Sequence, residues 1–153
     1  MILCPYTPSR LLPATREWVE AHNGLLVDVS GSDEGYWDCL DRKWNLYQED
    51  LFVIEHDIVP GYGVYDTMLG CPHSWCTSPY MVGGKLRLAQ GLGFVKFSVL
   101  LQECIPDLMA QVERVNFTND EPRMWHTMDW KIAHLLLKHQ FKPHEHGMST
   151  HQH

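Results

Sequence analysis

The sequence predicts an α/β fold, a three-layer sandwich in which helices cover both faces of a mixed, mainly parallel sheet. Three short apolar runs, at residues 1–6, 25–30 and 51–55, alternate with two helix-like segments across short loops. A β-α-β-α-β order of this kind requires parallel strands joined by right-handed crossovers. Ligands of such sheets bind beyond the carboxyl ends of the strands, so the residues after each run are the first candidates for a site.

The two helices of this first half each carry a recognisable signal. One is predicted between Pro13 and Asn23, because the pair Asn23-Gly24 is a typical helix terminator. The other covers residues 36–49, where large apolar side chains recur at spacings of 3, 4 and 3, at Trp37, Leu40, Trp44 and Tyr47. That stripe is typical of an amphipathic helix packed on a sheet, although it could serve a homo-oligomer as readily as a core.

After Pro60 the chain becomes rich in glycine, proline, serine and aromatic residues. Strands are predicted at residues 75–82 and 93–98, where apolar residues lie between turn-forming ones. The segment 99–113 predicts a helix that is broken at Pro106.

Composition limits the classes of function. At 153 residues, the chain (1–153) is expected to be a single domain with a real hydrophobic core. Its formal net charge of -7 argues against a nonspecific nucleic-acid binder, because phosphate contacts need a basic face. An acidic protein can nevertheless bind a nucleotide when a divalent cation mediates the contact.

Cysteine usage predicts a reducing, cytoplasmic setting. The five cysteines are an odd number and widely scattered, and no secretory signal precedes them. No run reaches the roughly 18 apolar residues expected of a membrane span. Cys71 and Cys76, in CPHSWC, could instead form a local disulfide or half a zinc site, although their spacing fits no standard zinc knuckle.

The third apolar run meets charged residues at its exit. In DLFVIEHDIVP (residues 50–60), Glu55, His56 and Asp57 interrupt an otherwise apolar segment. Two carboxylates one residue apart at a strand end can hold a hard divalent cation, which would clamp a diphosphate and neutralise a phosphate leaving group. The alternative is a loop with two solvated acids.

The C-terminal segment KPHEHGMSTHQH is rich in histidine, a common ligand of manganese and zinc. The candidate ligands are His144, His146, His151 and His153. A disordered tail or a purification remnant is the alternative, but KPHEHG follows the preceding helix like a native loop and strand.

That preceding helix is predicted at residues 129–141, and its first residue has two candidate roles. Asp129 is placed to cap the helix N-terminus. A carboxylate at a helix start that faces a crevice could also act as a general base, although the helix dipole would keep its pKa low.

Several common nucleotide and hydrolase motifs are missing from the sequence. The glycine-rich stretches VPGYGVY and GGKLRLAQGLG have no Gly-Lys-Ser/Thr, and no Gly-x-Gly-x-x-Gly follows the first strand. No Gly-x-Ser-x-Gly elbow is present either. Kinase, simple Rossmann dehydrogenase and α/β-hydrolase functions are therefore excluded.

In their order, these pieces resemble the GT-A fold glycosyltransferases. The segment ILCPYTP resembles the strand exit that receives the nucleotide in that family, and FVIEHD resembles its Asp-x-Asp motif with Glu in the first position. The resemblance implies a GT-A-like, Rossmann-like fold. It implies that the nucleotide-sugar is bound by Pro5, Tyr6, Thr7, Asp28, Glu55, His56 and Asp57.

The second half of the chain extends the resemblance. TMDWKIAHLLL resembles the helix of inverting members that begins with the catalytic base, which would be Asp129, although Met128 stands where an acidic neighbour is usual. If Asp129 is not the base, a retaining mechanism is open. Metal-dependent members add a late histidine to the metal ligands, which implies His151, or His146 as second choice, beside Glu55 and Asp57.

The resemblance implies a glycosyltransferase that depends on Mn²⁺ or Mg²⁺. It would move a sugar from a nucleotide-diphosphate sugar to an acceptor hydroxyl on a glycan, protein or small molecule, with inversion. One alternative is a noncatalytic zinc- or nucleotide-binding module, which would use Cys71, His73 and Cys76 with the C-terminal histidines. Another is a nucleotidyltransferase, although the first strand is not followed by the basic, glycine-rich loop of that class.

Overall fold

The computed structural model of the chain describes residues 1–44, 46, 49–84, 86–115 and 123–152. The strands are β1 (Ile2–Tyr6), β2 (Leu25–Asp28), β3 (Leu51–Ile54), β4 (Ile58–Val59), β5 (Trp75–Thr77), β6 (Tyr80–Val82), β7 (Leu86–Leu88), β8 (Phe94–Phe97), β9 (His144–Glu145) and β10 (Thr150–His151). The helices are α1 (Pro13–Ala21), α2 (Gly35–Trp44), α3 (Val64–Leu69), α4 (Val99–Cys104), α5 (Leu108–Arg114) and α6 (Met128–Lys138), and a 3₁₀ turn at Trp125–Thr127 precedes α6.

The main sheet has six strands in the order β2-β1-β3-β8-β5-β9. The first three are parallel, as predicted, and β9 is parallel to β5. Strand β8 is antiparallel to both of its neighbours. The sheet is therefore mixed but mainly parallel. Two small antiparallel pairs, β10-β4 and β6-β7, extend from it.

Helices cover both faces of this sheet, because its buried strands are apolar on both sides. In β3, Leu51 and Val53 pack in a core with α2, α4, α5 and α6. Phe52 and Ile54 point to the other face and pack with Val19 of α1 and with α3. This arrangement confirms the three-layer sandwich.

The aromatic stripe of α2 lies in the core, as predicted. Trp37 and Trp44 are buried, and their indole N–H groups donate to the carbonyl oxygens of Met109 (3.2 Å) and Ile105 (2.8 Å). These bonds satisfy the polar edge of each ring within the core. Tyr47, which was predicted in the same stripe, lies outside the described residues.

Two helices end where a residue takes up a left-handed backbone conformation. Asn23 has a φ of 54° and ends α1, as its sequence predicts. Gln140 has a φ of 67°, and the Phe141 N–H bonds to the Leu136 carbonyl at 2.9 Å. Helix α6 therefore ends at Lys138, before the predicted residue 141.

The predicted strand 75–82 is two strands, β5 and β6, which are separated at Ser78 and Pro79. Proline has no N–H to donate to a sheet, and here the Pro79 carbonyl accepts from the Ser149 N–H at 2.9 Å instead. The predicted strand 93–98 and the helix break at Pro106 are confirmed. Helix α3 was not predicted, because it lies in the glycine-rich stretch.

The C-terminal segment is part of the fold. Strand β9 pairs with β5, and β10 pairs with β4, so residues 144–151 are not a disordered tail. His153 lies outside the described residues. None of the described helices is long and apolar enough to cross a membrane.

Candidate active site

A cavity of about 910 Å³ lies at the carboxyl ends of the parallel strands, a size suited to a small-molecule ligand. The loop after β1 contributes Thr7 and Arg10, and the loop after β2 contributes Ser30. The turn after β3 contributes Glu55, His56 and Asp57. The charged triplet of the sequence therefore marks the exit of a strand into a crevice, as predicted.

Acidic side chains converge in this cavity from two distant parts of the chain. Asp129, in the first turn of α6, lines it together with Glu55 and Asp57. Burial, and then the charges of Asp57 and Asp129, raise the pKa of Glu55 to about 8. The pKa of the buried Tyr80 phenol is also raised, first by burial and then by Glu55. The charges of Asp57 and Asp129 thus act on both groups, and a bound cation would balance them.

Asp57 meets the C-terminal segment. Its Oδ2 atom lies 3.3 Å from Nε2 of His151 and 3.9 Å from Nε2 of His56. Its backbone carbonyl accepts a hydrogen bond from the Gln152 N–H at 3.1 Å. The pairing of His151 with Ile58 between β10 and β4 sets this arrangement. A carboxylate beside an imidazole is a ligand pair suited to Mn²⁺.

The predicted metal ligands do not form a closed cage. Of the described residues, only Cys71, Cys76, His144 and His146 bring three or more such ligand atoms within 4.8 Å of one another. A cation beside Asp57 would therefore need further ligands from water and from oxygen atoms of a bound substrate, as Mg²⁺ commonly does. His146 belongs to that other group and does not line the cavity.

Asp129 lies just inside the helix start and is not its N-cap. Helix α6 begins at Met128, and Oδ1 of Asp129 accepts a hydrogen bond from the Trp130 N–H at 2.8 Å. Burial nevertheless raises the pKa of this carboxyl, against the lowering effect of its backbone hydrogen bonds. The prediction that the helix would keep this pKa low is therefore wrong, because the loss of hydration is the larger effect.

The predicted nucleotide-binding residues divide into two groups. Thr7 lines the cavity, whereas Pro5, Tyr6 and Asp28 do not. Pro5 is buried in β1, and the Tyr6 ring lies 6.0 Å from the Arg16 guanidinium. Asp28 accepts a hydrogen bond from the Ser30 N–H at 2.9 Å, and Ser30 lines the cavity.

Sequence reasoning missed Arg10, Tyr36 and Trp125, which line the cavity with the predicted Thr7. Arg10 supplies a cation, and its guanidinium carbon lies 5.8 Å from the ring of Trp125, which also lines the cavity. The buried Thr7 Oγ1 and Tyr36 hydroxyl have no hydrogen-bond partner among the described residues. Both residues line the cavity, so a polar ligand would satisfy them. The position of Arg10 in the loop after the first strand was the available signal.

Comparisons with known proteins identify the fold. No family model matches the chain, and no curated protein matches its sequence. Among solved structures, a glycosyltransferase involved in the glycosylation of the major capsid of PBCV-1 is similar, with a TM-score of 0.55 at 9% identity. The match covers 98% of this chain and 91% of that one. A197 from STIV is also similar, with a TM-score of 0.56 at 10% identity over 97% and 81% of the two chains.

At such low identities, these matches establish the fold and do not transfer an activity. They cover nearly the whole of this chain, and each covers most of the solved structure. The chain therefore has a Rossmann-like α/β fold of the kind found in a glycosyltransferase.

Proposed function

We propose that this protein is a metal-dependent glycosyltransferase, which moves a sugar from a nucleotide-diphosphate sugar to an acceptor hydroxyl with inversion. One observation carries the proposal. Glu55, Asp57, Asp129 and His151 meet in one cavity at the carboxyl ends of β1–β3, on a fold shared with a glycosyltransferase. Two of these residues lie more than 70 positions from the other two, so local sequence does not explain their meeting.

Asp57 and His151 would hold a Mn²⁺ or Mg²⁺ ion, with Glu55 beside them. Their side chains are already 3.3 Å apart. The charges of Asp57 and Asp129 add to the effect of burial on the pKa of Glu55, and a bound cation would favour its ionised form. When bound, the ion would stabilise charge on the departing diphosphate, an effect worth several kcal/mol in metal-assisted reactions.

The rest of the cavity offers groups for the nucleotide part of the donor. The Thr7 hydroxyl and the Tyr36 hydroxyl are buried polar groups that a bound ligand would satisfy. Arg10 supplies a cation on the same wall, where it could contact phosphate oxygens. Ser30 and Ser32, in the loop after β2, would lie near the ribose and base of the nucleoside.

Asp129 would act as the general base, removing the proton from the acceptor hydroxyl during attack on the anomeric carbon. Its carboxyl is half-buried, and its pKa is raised towards the range in which a base works best near neutral pH. The exposed ring of Trp125, on the same cavity, offers an aromatic surface for an acceptor sugar.

A thermal-shift panel tests the proposal. The protein would be heated with UDP, GDP, CMP and TDP and with their sugars, each with and without Mn²⁺. A ligand at one hundred times its dissociation constant adds about 2.7 kcal/mol to the free energy of unfolding. We expect a shift with one nucleotide class that appears only with metal. Shifts that are absent throughout the panel would contradict the proposal.

A nucleotidyltransferase is the competing enzyme class, since it would use the same kind of acidic cavity. It would consume a nucleoside triphosphate and release pyrophosphate, whereas a glycosyltransferase would release a nucleotide from its sugar donor. Pyrophosphate release from triphosphates, with no turnover of any nucleotide-sugar, would favour that alternative.

A further inference from the structure

A second cluster of ligand-type side chains lies apart from the cavity. Cys71, Cys76, His144 and His146 bring their ligand atoms within 4.8 Å of one another, and we call this group the Cys/His cluster. None of its members lines the cavity. Cys71 follows α3, Cys76 is in β5, and the histidines are at β9, so the cluster joins three parts of the fold.

Two separations between the ligand atoms match the edges of a tetrahedral zinc site. Zinc binds sulfur at about 2.3 Å and imidazole nitrogen at about 2.0 Å, so the edges of its tetrahedron measure about 3.3–3.8 Å. In the cluster, Cys71 Sγ lies 3.3 Å from His144 Nδ1, which lies 3.2 Å from His146 Nε2. These atoms are close to the separation that a shared ion would impose.

A hydrogen bond on the far side of one ring prepares it for a metal. The Thr67 hydroxyl donates to the Val64 carbonyl at 2.8 Å, so its oxygen accepts the proton of His146 Nδ1 at 3.1 Å. In the neutral ring, Nε2 of His146 then carries a lone pair, which points into the cluster. Outer-sphere bonds of this kind orient histidine ligands in metal sites.

The surroundings of the two sulfur atoms also suit a metal. Cys71 and Cys76 are free thiols, so no disulfide occupies the position. The Lys96 ammonium is buried, lies in β8 opposite Cys76, and donates to the Cys71 carbonyl at 2.6 Å. Zinc binding would release the proton of the Cys76 thiol, because burial raises its pKa to about 12 against the lowering effect of the Lys96 charge.

The two contacts of His144 Nδ1 cannot both be hydrogen bonds that this nitrogen donates. Nδ1 of His144 carries at most one proton in the neutral ring, yet it faces both a sulfur and the lone pair of His146 Nε2. Only one of the two contacts can be a hydrogen bond donated by that nitrogen. A cation at the centre would turn all the contacts into ligand bonds.

We propose that the Cys/His cluster is a structural zinc site, with two thiolate and two imidazole ligands. Four protein ligands close the coordination sphere, which is typical of structural rather than catalytic zinc. The site is independent of the proposed cation at Asp57, because the two share no residue. It would fasten residues 144–146 to α3 and β5, and so anchor the C-terminal segment that pairs with β4.

This zinc site was predicted from the sequence only as an alternative, because its spacing fits no standard zinc knuckle. The cysteines are separated by four residues and the histidines by one, and the two pairs lie far apart in the chain. Parallel pairing places Cys76 opposite His144 and so brings the pairs together. His73, which was predicted as a ligand, instead stacks on the His144 ring with 4.2 Å between ring centroids.

The test is zinc content, measured by elemental analysis and native mass spectrometry on protein purified without a histidine tag. We expect about one zinc ion per chain. Cobalt substitution should give the near-ultraviolet absorption of thiolate-bound cobalt. Cys71→Ser and His144→Ala should each reduce zinc retention at least tenfold, because each removes one ligand. Neither side chain is fully buried, so the hydrophobic core should stay intact.

Matched controls separate the site from general effects of substitution. Cys104→Ser and His139→Ala remove an exposed cysteine and an exposed histidine outside the cluster and should retain zinc fully. Hydrogen exchange should quicken in residues 144–151 when zinc is chelated. The proposal is overturned if the native protein binds no zinc above trace affinity, or if zinc binding survives in both cluster variants. Neither result depends on the activity at Asp57.

Discussion

His151 lies 3.3 Å from Asp57, Nε2 to Oδ2, because the last described strand of the chain pairs with the short strand that follows Asp57. The contact places an imidazole from the C-terminus at the exit of a central strand. One wall of the cavity therefore depends on the position of the C-terminal segment.

Glu55→Gln should change how stability depends on pH. The pKa of Glu55 is raised from 4.5 to about 8, so between these values the unfolded chain loses a proton that the folded protein keeps. The stabilising effect of this group is present below pH 4.5 and is lost as the pH rises towards 8. Between pH 5 and pH 8, the free energy of unfolding should fall less in the variant than in the native protein. The two decreases should differ by about 1–3 kcal/mol.

Urea unfolding at pH 5, 6.5 and 8 measures this difference without added metal. Glu103→Gln, at an exposed position on α4, is the control and should follow the native profile. Parallel profiles for Glu55→Gln and the native protein would show that Glu55 is ionised in the folded state at neutral pH.

Asp129→Asn should separate binding from chemistry. The amide oxygen can still accept the Trp130 N–H, so the start of α6 should persist. Loss of a general base commonly lowers kcat about 10²–10⁴-fold, while donor affinity should change little. Steady-state kinetics with the donor found in the thermal panel would measure both values. Unchanged kcat would remove Asp129 from the mechanism and favour retention over inversion.

Tyr36→Phe should have opposite effects on the free and the ligand-bound protein. The buried hydroxyl has no hydrogen-bond partner among the described residues, so its removal should leave the free protein as stable or make it more stable. If the hydroxyl contacts the donor, donor affinity should fall about 5–20-fold. Thermal melts and titration calorimetry would give the two values. A destabilised free protein with unchanged donor affinity would contradict this role.

Gly93→Ala should displace Tyr80. A Cβ atom at this glycine would lie 2.7 Å from Cδ1 and 2.9 Å from Cζ of the Tyr80 ring, which lines the cavity beside His151. Overpacking of this kind usually costs about 1–3 kcal/mol.

A double-mutant cycle with Tyr80→Leu tests the Gly93 contact, because the smaller side chain should relieve part of the cost. Gly31→Ala, where a Cβ would meet nothing within 4 Å, is the control. Equal costs of Gly93→Ala in both backgrounds would show that Tyr80 is not the obstacle.

Local sequence signals were sufficient for the first half of the fold. Apolar runs and the Asn23-Gly24 pair predict β1 to β3 and α1, because single strands and helix ends follow from short-range patterns. The division at Pro79 was missed, because it depends on the hydrogen bond that its carbonyl accepts from the distant Ser149. Asp57, Asp129 and His151, which the resemblance to glycosyltransferases assigned to one site, line one cavity, and their roles stay predictions.

The rest of the site depends on tertiary pairing that no local pattern reveals. His151 was preferred to His146 only by its distance from Asp129 along the chain, and it is the pairing of β9 and β10 that places the two histidines at separate sites. Tyr36 reaches the cavity from the second helix with no motif around it. A single catalytic domain, a cytoplasmic setting and a homo-oligomer stay predictions.

The most direct test of the account is the binding of the donor to Asp57→Ala, measured by calorimetry with and without Mn²⁺. Asp57 is half-buried at a strand end, so its truncation should leave the fold intact, and Asp66→Ala, on the exposed side of α3, is the matched control. We predict that the native protein and the control bind the donor only with Mn²⁺ and that Asp57→Ala loses this dependence and at least tenfold in affinity. Normal Mn²⁺-dependent binding by Asp57→Ala would contradict the account.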